Sequence, residues 1–172
     1  MPRVTGDSAG GSAAGYQIRP AGPDDLDAIA EFEVTIARVS FGDEAITDPA
    51  FHRRRVAGSL GKPGEITLVA VAADAPAAPL GWAWMSARTN SLTGARYGNF
   101  RSLAVAQVAD RGVIGELLMS AVLEAAERGG FTQVIGKVHA SNLGMRSLYR
   151  AFGFAVTHIT MEKRTGAGDE RG

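Results

Sequence analysis

The sequence has no cysteine in its 172 residues. Disulfides, thiol nucleophiles and cysteine-based zinc sites are therefore excluded. Histidine is scarce as well. His52, His139 and His158 are the whole supply, and none stand at the HxxxH spacing that binds a metal from one helix face. No metal is expected. Neither sign of charge is in excess, since 18 Lys and Arg stand against 18 Asp and Glu. A chain that grips nucleic-acid phosphates usually shows a basic excess or stripe, so nucleic acid is not an expected partner. Long apolar runs are missing too. Nothing approaches the ~20 residues of a membrane-spanning helix, and "MPRVTGDSAGGSAAG" at the start lacks the hydrophobic segment of a secretory signal. The expectation is a cytoplasmic protein that does not meet a membrane. The richness in Gly, Ala and Arg is in keeping with a GC-rich bacterial genome.

What is present fits one domain with a real core. Residues 1–15 and 165–172 are small and polar and read as flexible tails. Between them, residues 16–164 carry alternating signals. "YQIRP" (16–20) is a short strand. "GPDDLDAIAEFEVTIARV" is a helix with Asp24 or Asp25 as its cap and Leu26, Ile29, Ala30 and Ile36 at helical spacing. Asp48-Pro49 opens a second helix, which carries "FHRRRVAGSL" and stops near Gly61. "ITLVAVAAD" (66–74) is a central strand and "DAPAAP" (74–79) a turn. In "LGWAWMSAR" (80–88), Leu80, Trp82 and Trp84 alternate and should share one face. "TNSLTGARYG" (89–98) is a loop and "NFRSLAVAQ" (99–107) a fourth strand.

Glu116 to Arg128 is the clearest helix, with Leu117, Leu118, Ala121, Val122, Ala125 and Ala126 in one stripe and Gly129-Gly130 ending it. "FTQVIGKVHA" (131–140) is a fifth strand. "SNLGMRSLYRAFG" (141–153) is a helix capped by Ser141 or Asn142, and "FAVTHITMEKR" (154–164) a last strand. The predicted class is α/β, with a mixed, mostly antiparallel sheet flanked by helices.

That order resembles the GCN5-related N-acetyltransferase family over about residues 17–164. "IRPAGPDDLDAIAEFE" is similar to the family's first strand and helix. "RSLAVAQVADRGVIGELLMSAVLEAAERGG" is similar to its acetyl-CoA-binding strand, loop and helix. "VHASNLGMRSLYRAFGF" matches its fifth strand and the helix behind it, with an Asn and a Tyr seven residues apart. The resemblance implies fourth and fifth strands that splay, with acetyl-CoA as donor. The pantetheine arm would pair with the backbone of Leu103, Ala104 and Val105, and the pyrophosphate would meet the loop that follows. A neutral amine would attack the thioester directly. The acceptor would be a primary amine of a small molecule or peptide.

The loop "DRGVIG" departs from the family pattern of Gln or Arg, two residues, Gly, one residue, then Gly or Ala. Counting from "LAV", Asp110 takes the first position, Val113 the fourth and Gly115 the sixth. None of the residues Asp110, Arg111, Gly112, Val113, Ile114, Gly115 and Glu116 is proline, so their backbone donors are intact. Val113 would be strained if its φ had to be positive. Asp110 would repel phosphate unless it turned away or capped the helix, and Arg111 offers a replacement cation. Taken alone, the stretch is equally an ordinary strand-to-helix turn; the flanking stretches favour a cofactor loop.

By the same resemblance Tyr149 is the general acid for the leaving thiolate, against a purely packing role beside "AFGF". Asn142 would contact the cofactor or cap its helix, with both readings open. No base is specified. Many relatives place a Glu on the fourth strand, where "NFRSLAV" has no acid, and Glu31, Glu33 and His139 are weak candidates. "HRRR" (52–55) reads as a solvated helix face rather than an anion-steering patch. Trp82 and Trp84 read as core rather than acceptor pocket. Two rival functions stay in view. One is a degenerate acyl-CoA sensor, motivated by Asp110 and Val113. The other is a nucleotide-binding domain reading Gly112 and Gly115, which lacks a GxGxxG word at an early strand. With a single strand after "GF" where many relatives have a longer ending, a sheet edge would be left open, which a second subunit in a homodimer could cover.

Overall fold

The computed structural model describes residues 12–13 and 15–165. Its strands are β1 (Ser12–Ala13), β2 (Tyr16–Pro20), β3 (Glu65–Ala72), β4 (Ala75–Thr89), β5 (Arg96–Val105) and β6 (Val134–Gly136). Its helices are α1 (Leu26–Phe41), α2 (Pro49–Ala57), α3 (Arg111–Arg128) and α4 (Leu143–Ala151). The strands lie in chain order across one sheet. All neighbours are antiparallel except β5 and β6, which run parallel on either side of α3. The mixed, mostly antiparallel sheet is thus found, and its first long strand keeps the predicted bounds. Most of the segment predicted as a leading tail lies outside the described residues, but Ser12 and Ala13 already pair with β2.

Two apolar clusters cover the two faces. On one, α3 and α4 pack Ile114, Leu118, Met119, Val122 and Tyr149 onto Ala70, Ala83, Met85 and Phe100. On the other, α1 and α2 pack Leu26, Ile29 and Val56 onto Val69, Val71, Trp82 and Trp84. Consecutive residues of β3 and β4 alternate between the clusters, as the pleat requires. Leu80 does not follow Trp82 and Trp84. The register jumps from Ala70↔Gly81 to Val71↔Pro79, so Leu80 has no partner on β3 and packs with the α3 cluster instead. A bulge of this kind sends a residue to the opposite face.

The same irregularity moves the hairpin turn. Ala73 and Asp74 make it, so Pro76 and Pro79 lie inside β4 rather than in a loop. The missing proline donors are tolerated where the ladder is already broken.

The caps are partly as read. Asp48 accepts from Ala50 N at 2.9 Å and starts α2, which ends at Ala57. Asn142 accepts from Met145 N at 3.0 Å and starts α4. Asp25 does not cap α1 by its side chain. It forms a fork with Arg19 at 2.7 and 2.8 Å and takes the Gly22 N–H at 2.8 Å. The Arg19 guanidinium, working against burial, holds that carboxyl below its ordinary range.

The predicted strands at the C-terminal end are corrected. The fifth shrinks to Val134–Gly136. The last, over 154–164, does not form, and Val156, Ile159 and Met161 lie exposed. A strand gains stability from a ladder and a buried face together, and β6 offers too short an edge for either. Arg164 ties this segment to Glu44 at 3.0 Å.

Candidate active site

β5 and β6 pair only through Gly98↔Val134, Asn99↔Ile135 and Phe100↔Gly136. Beyond that rung the strands part. β4 still pairs with Leu103, Ala104 and Val105 on one side, while their other side has no strand partner among the described residues. The gap opens into a groove of about 460 Å³. That lies within the ~300–1,000 Å³ range of small-molecule sites. Its floor is Leu103, Ala104 and Val105. One wall is Arg111, Gly112, Gly115 and Glu116 of α3, and the other is Asn142 and the facing side of α4.

The stretch "DRGVIG" is not a loop. Helix α3 begins at Arg111, five residues before the predicted start at Glu116, so Gly112 and Val113 sit in its first turn. Val113 therefore needs no positive φ, and its half-exposed side chain lines no part of the groove. Asp110 precedes the helix without capping it. Its carboxylate instead accepts the Tyr16 hydroxyl at 2.8 Å, away from the groove. Arg111 takes the groove position and bonds Gln107 Oε1 at 2.7 Å.

The backbone donors are fewer than the seven retained in sequence. Arg111 N is used by Val108 O at 3.2 Å, and Ile114 N by Asp110 O at 3.0 Å. Gly112 and Val113 N–H have no backbone partner among the described residues, and the i−4 carbonyls that would receive them lie before the helix start. They point from the positive end of an 18-residue helix whose first turn holds no acid. Ile114 is fully buried under Gly81 and supplies neither side chain nor N–H.

Tyr149 lies at the closed end of the gap. Its ring packs on Phe100 at 6.0 Å and on Phe154 at 4.6 Å. A β-carbon at Gly136 would overlap its hydroxyl, so glycine is needed there for the phenol to reach the last rung. Burial pushes the Tyr149 phenol well above its ordinary value, so it stays protonated at neutral pH. It does not line the groove itself.

The weak base candidates are not brought together. Glu31 is exposed. His139 is exposed and engages Ser141 Oγ at 2.6 Å. Glu33 is buried beneath α1, where it accepts from Trp82 Nε1 at 2.8 Å and pairs with Arg55. The "HRRR" run divides its labour. His52 is buried against Ile46 O at 2.7 Å, Arg53 pairs with Asp27 at 2.7 Å, and Arg55 reaches Glu33. No cluster of three potential metal ligands occurs among the described residues, and no helix of theirs is long and apolar enough to cross a membrane.

One wall of the groove was missed in sequence. Gly144, Ser147, Leu148 and Ala151 line it, together with Met145. Their spacing puts them on one side of α4. Three of the four are small, and that stripe is the signal that was available.

Comparison with known proteins agrees with this geometry. No curated protein sequence matched the chain. Among solved structures, a possible acetyltransferase from Clostridium difficile 630 superposes with a TM-score of 0.69 at 18% identity, covering 88% of this chain and 98% of that one. An aminoglycoside antibiotic 6'-N-acetyltransferase from Acinetobacter baumannii gives 0.66 at 15% identity, covering 90% and 100%. A ribosomal-protein-alanine N-acetyltransferase from Brucella melitensis biovar Abortus 2308 gives 0.66 at 16% identity, covering 88% and 99%. At such identities the likeness speaks for the fold. The acetyltransferase (GNAT) family model matches residues 26–154, most of the chain, and with the parted β5 and β6 it identifies this protein as a member of the GNAT acetyltransferase family.

Proposed function

We propose that this chain is an acetyl-CoA-dependent N-acetyltransferase acting on a primary amine of a small molecule or peptide. One observation carries the reading: a single groove joins the unpaired side of β5 to the start of α3, where Gly112 lines it with an N–H that has no partner among the described residues. Acetyl-CoA would supply a thioester-activated acetyl group. Leu103, Ala104 and Val105 would pair with the amide-bearing pantetheine arm as with an added strand. Gly112 and Val113 would donate to the pyrophosphate at the positive helix end, and Arg111 would add a charge-assisted contact. Tyr149, held protonated at the vertex, would give its proton to the departing sulfur. Asn142 would cap α4 and so fix the second wall.

A non-catalytic acyl-CoA sensor is the rival. The two departures behind it lose force, because Asp110 faces Tyr16 and Val113 is helical without strain. Calorimetry with acetyl-CoA and CoA, followed by thiol release across an amine panel, separates the readings. Binding with turnover is expected. Binding without turnover across a broad panel would give the sensor, and no binding at millimolar ligand would remove both.

Two variants place the ligand. Gly144→Leu should weaken CoA binding by at least about 10-fold without unfolding the protein. A β-carbon there meets only Asn142 Oδ1, at 4.0 Å, so the added side chain has room and occupies the groove. Asp110→Ala should leave the CoA dissociation constant within about twofold, because its carboxylate does not face the groove. A large gain in affinity on removing that charge would show that Asp110 does meet phosphate.

A further inference from the structure

On the sheet face opposite the groove, β5 carries a second irregularity. Trp84 pairs with Ser102 and Met85 with Phe100, so Arg101 is the extra residue of a bulge. The bulge turns Arg101 toward the α1 and α2 side. Its guanidinium lies 3.8 Å from the centre of the Trp84 ring, and Arg55 of α2 lies 5.5 Å from the same ring. Nearby stand Arg88, Glu33 and Glu65.

The carboxylates there are already engaged. Glu33 holds Trp82 and Arg55. Glu65 accepts from Trp84 Nε1 and Ser86 Oγ, each at 2.6 Å. Arg101 itself has only a long 3.4 Å contact to Ser86 Oγ and no ion pair among the described residues. Three guanidiniums (Arg55, Arg88, Arg101) against two carboxylates (Glu33, Glu65) leave a local excess of one positive charge. Burial, with Arg55 and Arg88 beside it, lowers the Arg101 pKa from its ordinary value, the direction expected of a cation short of an anion.

This half-buried cation adjoins the vertex. Phe100, the residue before it, forms the last rung with Gly136, and Leu103 two residues later begins the groove floor. We propose that Arg101 is the acceptor-binding residue of this site and that the acceptor is an amine bearing a carboxylate, of the amino-acid or short-peptide kind. The inference rests on the acetyltransferase reading above. Trp84 holds the guanidinium over its ring, and no ion pair among the described residues takes its N–H donors. A planar fork of that kind matches a carboxylate with two parallel bonds.

The test uses the full chain with acetyl-CoA and matched amines: amino acids and dipeptides, their C-terminal carboxamides, and a phosphorylated amine of similar size. CoA binding is measured first by calorimetry. Each N-acetylated carboxylate and carboxamide is then titrated into the CoA complex. The carboxylate member of a pair should show kcat/KM at least about 10-fold above its carboxamide. Arg101→Gln should collapse that ratio toward one with CoA affinity unchanged, and Arg101→Lys should restore only part of it. Equal use of both members, preference for the phosphorylated amine, or a ratio that survives Arg101→Gln would each overturn the proposal. So would a CoA complex that neither binds nor acetylates any carboxylate member, while the cofactor reading stood. Absence of CoA binding would remove the cofactor reading itself. The wild-type comparison decides the acceptor class even if Arg101→Gln folds poorly, and Arg101→Lys, which keeps the charge, then tests the residue.

Discussion

Tyr149→Phe is expected to lower kcat by roughly 10²–10⁴-fold while leaving CoA affinity within about twofold. The phenol is placed at the last rung between β5 and β6, and burial keeps its proton in place. Phenylalanine preserves the ring between Phe100 and Phe154, so packing survives and only the proton donor is lost. Alanine would remove both and is the poorer experiment. A pH series adds a second readout. The folded-state pKa is raised above the ordinary 10.0, so the unfolded chain ionises first. Stability contributed by keeping Tyr149 neutral is complete below that value and is lost as the pH rises through the folded-state pKa. The phenylalanine variant should lack this alkaline loss. An unchanged kcat would return Tyr149 to a packing role.

Glu33→Ala should cost about 2–4 kcal/mol of stability. The carboxylate is 2% exposed and receives the indole N–H of the fully buried Trp82. Removing it strands that donor in a dry site and leaves a void. The Arg55 pair adds less, because that guanidinium is 37% exposed and water can replace its partner. For a chain of this size the loss corresponds to a fall of roughly 5–15 °C in Tm. Glu33→Gln retains an acceptor for Trp82 and should recover about half. Equal thermal midpoints for wild type and Glu33→Ala would mean that the Trp82 N–H finds another partner. Buried and held by Trp82 and Arg55, Glu33 is a structural carboxylate rather than a ready base.

Much of this architecture is readable from local pattern. The end of α3 follows from Gly129-Gly130, and Asn142 and Asp48 announce their helices. The start of α3 is harder. Gly112, Val113 and Ile114 are poor helix formers, so propensity places the beginning at Glu116. Burial of Ile114 beneath Gly81 overrides it. Leu80 and Arg101 are hidden for another reason: a one-residue slip in a ladder leaves no mark on periodicity. The contacts of Glu33 span 22 and 49 residues and so belong to no motif. Of the residues that the family resemblance named on β5 and around the start of α3, Leu103, Ala104, Val105, Arg111, Gly112, Gly115 and Glu116 line the groove, and Asp110, Val113 and Ile114 do not. Which backbone donors stay free depended on where the helix begins.

The parted strands also bear on how the protein keeps in solution. On the side away from β4, residues 101–105 have no strand partner among the described residues, and a bare strand edge adheres to any extended chain that reaches it. The sheet is, in effect, one strand short, and on the proposed function the donor's arm is the missing strand. Ligand then acts as a preservative as well as a reagent. At 100 times its dissociation constant it would add about 2.7 kcal/mol to the folded state. Storage with CoA should therefore suppress any edge-to-edge association at the unpaired side of β5.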